Sequence, residues 1–387
     1  MLKTMSVNTS AEIMDVVFAL TGDPQANSRA LRQLQLLADS DFKVLAIGLI
    51  NDTNQHPYTI NNVTFKYLPR PSGSGPQFFW KVHKQLMNAL KGVKSKIFHA
   101  SDLYTLPAIC RSADRQRSKV VFDARELYTH LPATIKRPWV GAAWKVVMRR
   151  FIVDADCVFS VSQSIADHLK KHYQLDTVHL MHNVPDPCIS HSTPSLRQRL
   201  DVPDHLNIIL HQGNLQAHRG CSMMVESMRH INNGVLVFMG QGPLRMETKH
   251  LVNDLNLESK VRFLDPVPPD QLLGVTSTAD LGLTFLEDSC LNHRYALPNK
   301  LFEYLTAGIP VISSDLPEIT RIIKRFNVGC VVPSGDAHAL GMAIQDALQD
   351  SNKYKLWAQN TCNVVDFFNF RIESEHFLNP YLPLLES

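Results

Sequence analysis

Apolar, largely β-branched runs too short to make a buried helix recur along this chain, at residues 13–20, 44–50, 96–100, 120–122, 157–161, 207–210, 235–239, 280–285, 310–312 and 328–332. Between them the apolar residues return every three or four positions, as in Ala30, Leu31, Leu34, Leu37 and Ala38, the mark of an amphipathic helix. Strands buried on both faces and alternating with helices have one common solution, a parallel sheet covered by helices on each side. The spacing therefore predicts an α/β fold of doubly wound layers. The alternation lapses once, over residues 185–203, where Pro, Ser, Asp and His dominate, and then restarts. A chain of 387 residues with 44% apolar content can fill two cores. The expected organisation is a first domain over residues 1–190, a second over 205–365, and a segment over 366–387 returning to the first. Trp357, Phe367, Phe368, Phe370 and Phe377 carry more aromatic surface than a free tail would, so this end should be helical and packed across the junction.

Charge and cysteine usage narrow the function classes. A net charge of +3 on so many ionisable groups excludes a general nucleic-acid binder. The cysteines at 110, 157, 188, 221, 290, 330 and 362 form no CxxC pair, so reduced thiols in a cytoplasmic protein are expected, and no zinc. No run is long and uncharged enough to span a membrane, and the first fifteen residues lack the apolar region of a signal peptide.

Ligands of open parallel sheets gather outside the carboxyl ends of the strands. Two such ends in the first half are rich in polar groups: His99 to Asp102, and the stretch holding Asp123, Arg125, Glu126 and His130. These are candidate site residues, and His99 or His130 could contact a substrate hydroxyl. Asp123 and Glu126 could equally pair with Arg125, and either histidine could be a satisfied structural residue. Gly22, in the break after the first strand, is read as a turn lining a cleft. Residues 63–67 suit an edge strand, and the PRPSGSGP run at 69–76 a flap. In the second half Gly213 and Asn214 follow a strand and precede Arg219, and Gly240 and Gly242 occupy another strand-to-helix turn.

Residues 288–314 combine the most signals. Residues up to Pro298, including Asn292, His293 and Arg294, read as a surface loop. From Asn299, a good N-cap type, Leu301, Phe302 and Leu305 recur at helical spacing until Gly308 and Pro310 stop the helix. A helix start presents unpaired N–H groups and the positive end of its dipole, which suits a phosphate. Lys300 adds a charge there, and Glu303 one turn on could accept hydrogen bonds from ribose hydroxyls.

Residues 135–150 mix Trp139 and Trp144 with Lys136, Arg137, Lys145, Arg149 and Arg150, the composition of a basic amphipathic helix. Such a helix either covers its own core or rests on anionic headgroups at the inner face of a membrane.

The segments GDPQANSRALRQLQLLA, VVFDARELY, HNVPD, HQGNLQAHRG, FMGQGP and PNKLFEYLTAGIPVI together resemble the GT-B glycosyltransferases, in particular family 4 of retaining, nucleotide-sugar-dependent enzymes. The resemblance spans nearly the whole chain. It implies two Rossmann-like domains facing a cleft, the C-terminal one holding a nucleotide-sugar donor and the N-terminal one a sugar or lipid-linked acceptor. It implies no cofactor and no metal, because helix ends and basic residues take the diphosphate charge. The implied reaction moves a sugar from a nucleotide-diphosphate sugar to an acceptor hydroxyl with retention, in bacterial-type cell-surface polysaccharide or glycolipid synthesis.

By this resemblance Glu303 matches the second glutamate of a paired motif and binds the donor ribose. Asn299, Lys300 and Leu301 lie under the diphosphate, and Arg219 and Gly213 match the basic residue against it and the glycine ahead. The sequence departs at two positions. Tyr295 stands where a first glutamate often contacts the donor sugar, leaving Arg294 as a further diphosphate contact, and Asn214 stands where an arginine usually follows the loop glycine. Two other readings stand beside this one: a sugar-nucleotide epimerase, which shares the architecture, and, given these departures, a catalytically degenerate nucleotide-sugar-binding partner.

Overall fold

The computed structural model describes residues 13–51, 59–73, 75–187 and 193–386. The reading of residues 1–12, the Cys188 thiol, Ser74 of the expected flap and residues 188–192 of the 185–203 break lie outside them. The chain divides into two compact units, one formed by Met1–His182 with Ser374–Ser387, the other by Asn183–Glu373.

In the first unit β1 (Met14–Leu20), β2 (Val44–Ile50), β3 (Val63–Pro69), β4 (Ser95–Ala100), β5 (Lys119–Ala124), β6 (Cys157–Ser160) and β7 (His179–Leu180) pair in the order β3-β2-β1-β4-β5-β6-β7. Every pairing is parallel. Phe18 on β1 sits opposite Ala46 on one side and His99 on the other. Val16 through Ala19 are fully enclosed, which is why this strand reads as an unbroken apolar run.

The second unit repeats the plan with β8 (Asn207–Gln212), β9 (Gly234–Met239), β10 (Val261–Leu264), β11 (Leu281–Thr284), β12 (Val311–Ser314) and β13 (Gly329–Val332), ordered β10-β9-β8-β11-β12-β13 and again parallel. Successive side chains feed opposite cores. Leu210, Val237 and Val311 join Phe302 and Tyr304 on one face, while Ile209, Leu236, Leu283 and Ile312 join Trp357 on the other. Strand order reverses between β1 and β4 and between β8 and β11, and each reversal opens a crevice at the carboxyl ends of those strands.

Several local expectations change. The second unit begins at Asn183, and a helix at Leu196–Leu200, capped by Ser195 with Gln198 reciprocating, lies inside the expected break. Leu196 and Val202 are buried in the second core. The flap region becomes helix from Gly75. The 135–150 helix is two helices, Pro132–Ile135 and Pro138–Phe151, because prolines at 132 and 138 each start a helix that the preceding residue cannot continue. Only one of its tryptophans faces out: Trp139 is 59% exposed, whereas Trp144 packs edge-on against Phe79 and Tyr104. At the far end Trp357 stays in the second unit, and the chain rejoins the first from residue 374, with Phe377 and Tyr381 enclosed against Phe159 of β6 and His99 of β4.

Candidate active site

The crevice between β8 and β11 is built around Tyr304, on the helix Asn299–Thr306. Its ring lies across Gly282 of β11 so closely that a Cβ there would come within 2.5 Å of it. The Tyr304 hydroxyl accepts from the Gln212 N–H at 2.9 Å and lies 3.0 Å and 3.2 Å from the carbonyls of Leu210 and Leu283, so it ties the ends of both strands to the helix. Gln212 then carries the order outward. Its Oε1 accepts from the Thr276 hydroxyl at 2.8 Å, which leaves Nε2 to donate to Glu303 Oε2 at 2.5 Å. Glu303 is thereby fixed at the crevice by a residue whose own orientation is set.

Pro298, not Asn299, occupies the N-cap position, and no side chain caps the helix, so Asn299 is the first helical residue and is exposed. Leu301 turns its side chain fully into the core and its N–H to the Pro298 carbonyl at 3.1 Å, so it offers a ligand nothing. Lys300 is not the solvated charge its position suggests. It is buried, with Nζ 3.3 Å from His211 Nε2, and burial together with the Arg219 charge pulls its ammonium down to about 7.

The glycine turns pack against each other. Gly240 has φ +156, and a Cβ on it would sit 1.9 Å from the Gly213 carbonyl oxygen, while one on Gly242 would strike the Leu215 carbonyl at 2.2 Å. A Cβ on Gly213 would face the end of Lys300 at 3.7 Å, which places this turn beside the buried amine. Asn214 is exposed and bonds Gln216. Arg219 follows His218, whose φ of +65 turns the loop and whose Nδ1 meets Glu287 Oε2 at 2.7 Å. The expected loop before Pro298 contains a short helix, Leu291–Arg294, that buries Asn292 and His293. Burial, Arg219 and His218 push His293 down to about 4, leaving it neutral. Arg294 points outward, 3.9 Å from Asp288, and Tyr295 ends that helix half-buried.

The residues expected on the acceptor side form a separate network in the first unit. Asp123 is fully enclosed and accepts from Arg29 Nε at 2.7 Å, Arg29 Nη2 at 2.8 Å and Gln33 Nε2 at 3.0 Å. Its partner is therefore Arg29, not Arg125. Burial alone would raise its pKa, but the Arg29 charge and hydrogen bonds, with the Arg125 charge behind them, hold it below the usual carboxylate range. Asp102 takes the N–H and hydroxyl of Thr21 at 2.7 Å each and the Thr105 N–H at 2.9 Å, with Arg125 at 3.8 Å. His99 bonds Tyr381 at 2.7 Å and is wholly enclosed, and burial drives it down to about 3, so it is a neutral core residue and cannot meet a substrate hydroxyl. Glu126 is exposed, and His130, half-buried, bonds Thr129 and lies beside His168. Gly22 belongs to this unit too. Its carbonyl accepts the Leu49 N–H at 3.0 Å, and a Cβ on it would meet only Leu20, so its turn does not require glycine.

Sequence reasoning missed Arg29, His211, Gln212 and Tyr304. His211 and Gln212 end β8, the kind of position that drew attention to Asp123, and could have been found that way; Arg29 reads as an ordinary polar residue of an amphipathic helix. Among the described residues no group of three or more His, Cys, Asp and Glu is placed to hold a metal, and no helix is long and apolar enough to cross a membrane.

The two units coincide with two known sequence families. Residues 26–187 match Glycosyltransferase Family 4, and residues 192–364 match Glycosyl transferases group 1. The chain belongs to family 4 of the GT-B glycosyltransferases. This family 4 chain is 21% identical over 265 residues to a D-inositol 3-phosphate glycosyltransferase of Corynebacterium glutamicum, a match covering 60% of the chain and 62% of that relative. It thus spans less than two thirds of the relative's length. Its fold is that of the sucrose-phosphate synthase of Thermosynechococcus elongatus, with TM-score 0.81, 17% identity, and 96% and 99% of the two chains covered. It is also that of Anabaena HepE, solved with UDP and glucose, with TM-score 0.73, 16% identity, and 96% and 100% covered.

Proposed function

We propose that this chain transfers a sugar from a nucleotide-diphosphate donor to an acceptor hydroxyl, with retention and without a metal. The observation that carries the reading is the convergence, at the carboxyl ends of β8 and β11, of a helix start bearing Lys300, the Glu303 carboxylate held by Gln212, and the tight glycine turns at Gly213 and Gly240. A diphosphate lies against Lys300, Arg219 and the first N–H groups of the helix, where fixed positive charge stabilises the leaving group as negative charge develops. Glu303 accepts hydrogen bonds from the ribose hydroxyls. Tyr295, offering a hydroxyl where a carboxylate is usual, meets the transferred sugar, and Arg294 adds to the diphosphate contacts.

With no protein nucleophile required, the acceptor oxygen bonds to the anomeric carbon on the face from which the diphosphate oxygen departs. The acceptor proton passes to that departing oxygen. The first unit receives the acceptor, with Asp102, Arg125, Glu126 and His130 as the groups at its strand ends and the Arg29–Asp123 pair as their scaffold.

The acceptor in this reading is carried on a lipid at the cytoplasmic face of a membrane, as in cell-surface polysaccharide or glycolipid synthesis. It is supported by the outward face of helix Pro138–Phe151, where Trp139, Ala142, Ala143 and Val146 are exposed at helical spacing, flanked by Lys136, Arg137, Lys145, Arg149 and Arg150. An exposed apolar stripe with a basic border suits an anionic headgroup layer.

The test is nucleotide affinity and donor turnover, with UDP-, GDP- and TDP-sugars, for Glu303→Ala, Arg219→Ala and Tyr295→Phe. Weakened nucleotide binding in the first two, by about tenfold or more as expected for lost charge-assisted bonds, supports the assignment. Unchanged values in all three variants would discard it. Conversion of one sugar nucleotide into another without acceptor would mark an epimerase, and binding without turnover across donors and acceptors a degenerate partner.

A further inference from the structure

Lys300 makes no ion pair with a carboxylate among the described residues, although it is buried. The polar contact of its Nζ is His211 Nε2 at 3.3 Å, and the tautomer of that ring follows from its other side. His211 Nδ1 lies 3.3 Å from the Leu283 carbonyl, which can only accept, so Nδ1 carries the proton and Nε2 presents a lone pair to Lys300. His211 is fully enclosed, and burial and the neighbouring Lys300 keep it neutral. The amine is thus held by a neutral acceptor on β8, with its remaining hydrogens or lone pair left for whatever enters beside Gly213.

The charged and titratable groups around it come from every packed element. Arg219, from the loop after β8, opposes its charge; Glu303, one turn on in its own helix, and Cys221, from the helix Cys221–Ser227, favour it. Glu303 is hydrogen-bonded by Gln212 and forms no direct ion pair with Lys300 among the described residues, and Cys221 is a buried thiol pushed up by burial, so burial and the Arg219 charge outweigh the attraction of these two groups.

We propose that His211 and Lys300 form a proton-linked anion seat, in which a diphosphate is bound together with one proton that the Lys300 amine takes from solvent. The inference rests on the donor reading above and adds how the charge balance at that site is met. No covalent bond forms: the lone pair of Nζ takes the proton, and the resulting ammonium donates to His211 Nε2 on one side and to phosphate oxygens on the other. His211 is a positioning residue, acting through Lys300. The sign follows from the lowered ammonium value near 7 in the free protein. An arriving anion favours the charged form and raises it, so uptake is greatest above about pH 7 and vanishes where the amine is already protonated.

The experiment is titration calorimetry of the full chain with UDP, GDP and TDP at about pH 8, in Hepes and in Tris. The nucleotide phosphate group, with its second ionisation near about 6, has lost its own proton there. The difference in heat between buffers counts protons. Expected are uptake of about one proton and an affinity falling by up to about tenfold per pH unit above pH 8. Lys300→Arg, permanently charged, should bind with no uptake and an affinity flat over that range. Should arginine not be accommodated, Lys300→Met should bind more weakly, also without uptake. Wild-type binding with no proton uptake, or the same uptake in either variant, overturns the inference and leaves the donor reading standing. Absence of binding by all three nucleotides overturns both.

Discussion

Replacing Arg29 by methionine isolates a buried ion pair of the first unit. Asp123 has no exposure, and two of its three hydrogen-bond donors belong to Arg29, the third to Gln33. Arg29→Met keeps the aliphatic stem but leaves the carboxylate with one neutral donor. Stripping one partner from a buried pair costs about 3–5 kcal/mol, or on the order of a hundred- to a few-thousand-fold in the opening equilibrium. A chain of two compact units need not unfold in one step, so the readout is amide hydrogen exchange along β5, where Val120, Val121 and Phe122 should exchange faster by that factor. The double variant Arg29→Met/Asp123→Asn removes the charge with its partner and should recover most of the loss. The pH dependence has a definite sign. The carboxyl is held below its usual range, so the pair's stabilisation is present above the unfolded value of about 3.9 and is lost as pH falls through the folded one. A single variant destabilised by less than about 1 kcal/mol, or a double variant no better than the single, would refute this account of the pair.

Two further outcomes follow from geometry elsewhere. Gly240→Ala drives a methyl group to 1.9 Å from the Gly213 carbonyl, so the paired turns must separate; nucleotide affinity should fall about tenfold or more, and a calorimetric affinity within twofold of wild type would show the turns to be tolerant. At the other unit, the full chain should sediment with vesicles containing roughly a third anionic phospholipid but not with neutral phosphatidylcholine alone, and Trp139→Ser with Val146→Ser should abolish this. Equal sedimentation of wild type and double variant would assign the stripe no part in lipid contact.

Where the candidate residues of the β8–β11 crevice lie was largely legible because strand ends and helix starts carry their own local signals. Glu303, Lys300, Gly213 and Gly240 were found from spacing, and they lie at the carboxyl ends of β8 and β9 or on the helix that packs against β11. Leu301 failed because one position along a helix turns a side chain by about a third of a turn, here from crevice to core. His99 failed for a related reason: it ends a strand, but Phe377 and Tyr381, nearly three hundred residues on, close over it. The break at 185–203 misled because a five-residue helix leaves too short a periodic signal to be seen among prolines and serines.

What the amino-acid order determined by itself was the layering: period two against period three to four is imposed by backbone geometry within a few residues, and its repetition along the chain dictates two parallel sheets with helices on both faces. What only the tertiary structure decided was the state of each charge. Arg29 meets Asp123 across 94 positions and Lys300 meets His211 across 89, and a charge's hydration and partners depend on such distant neighbours, which no local pattern encodes.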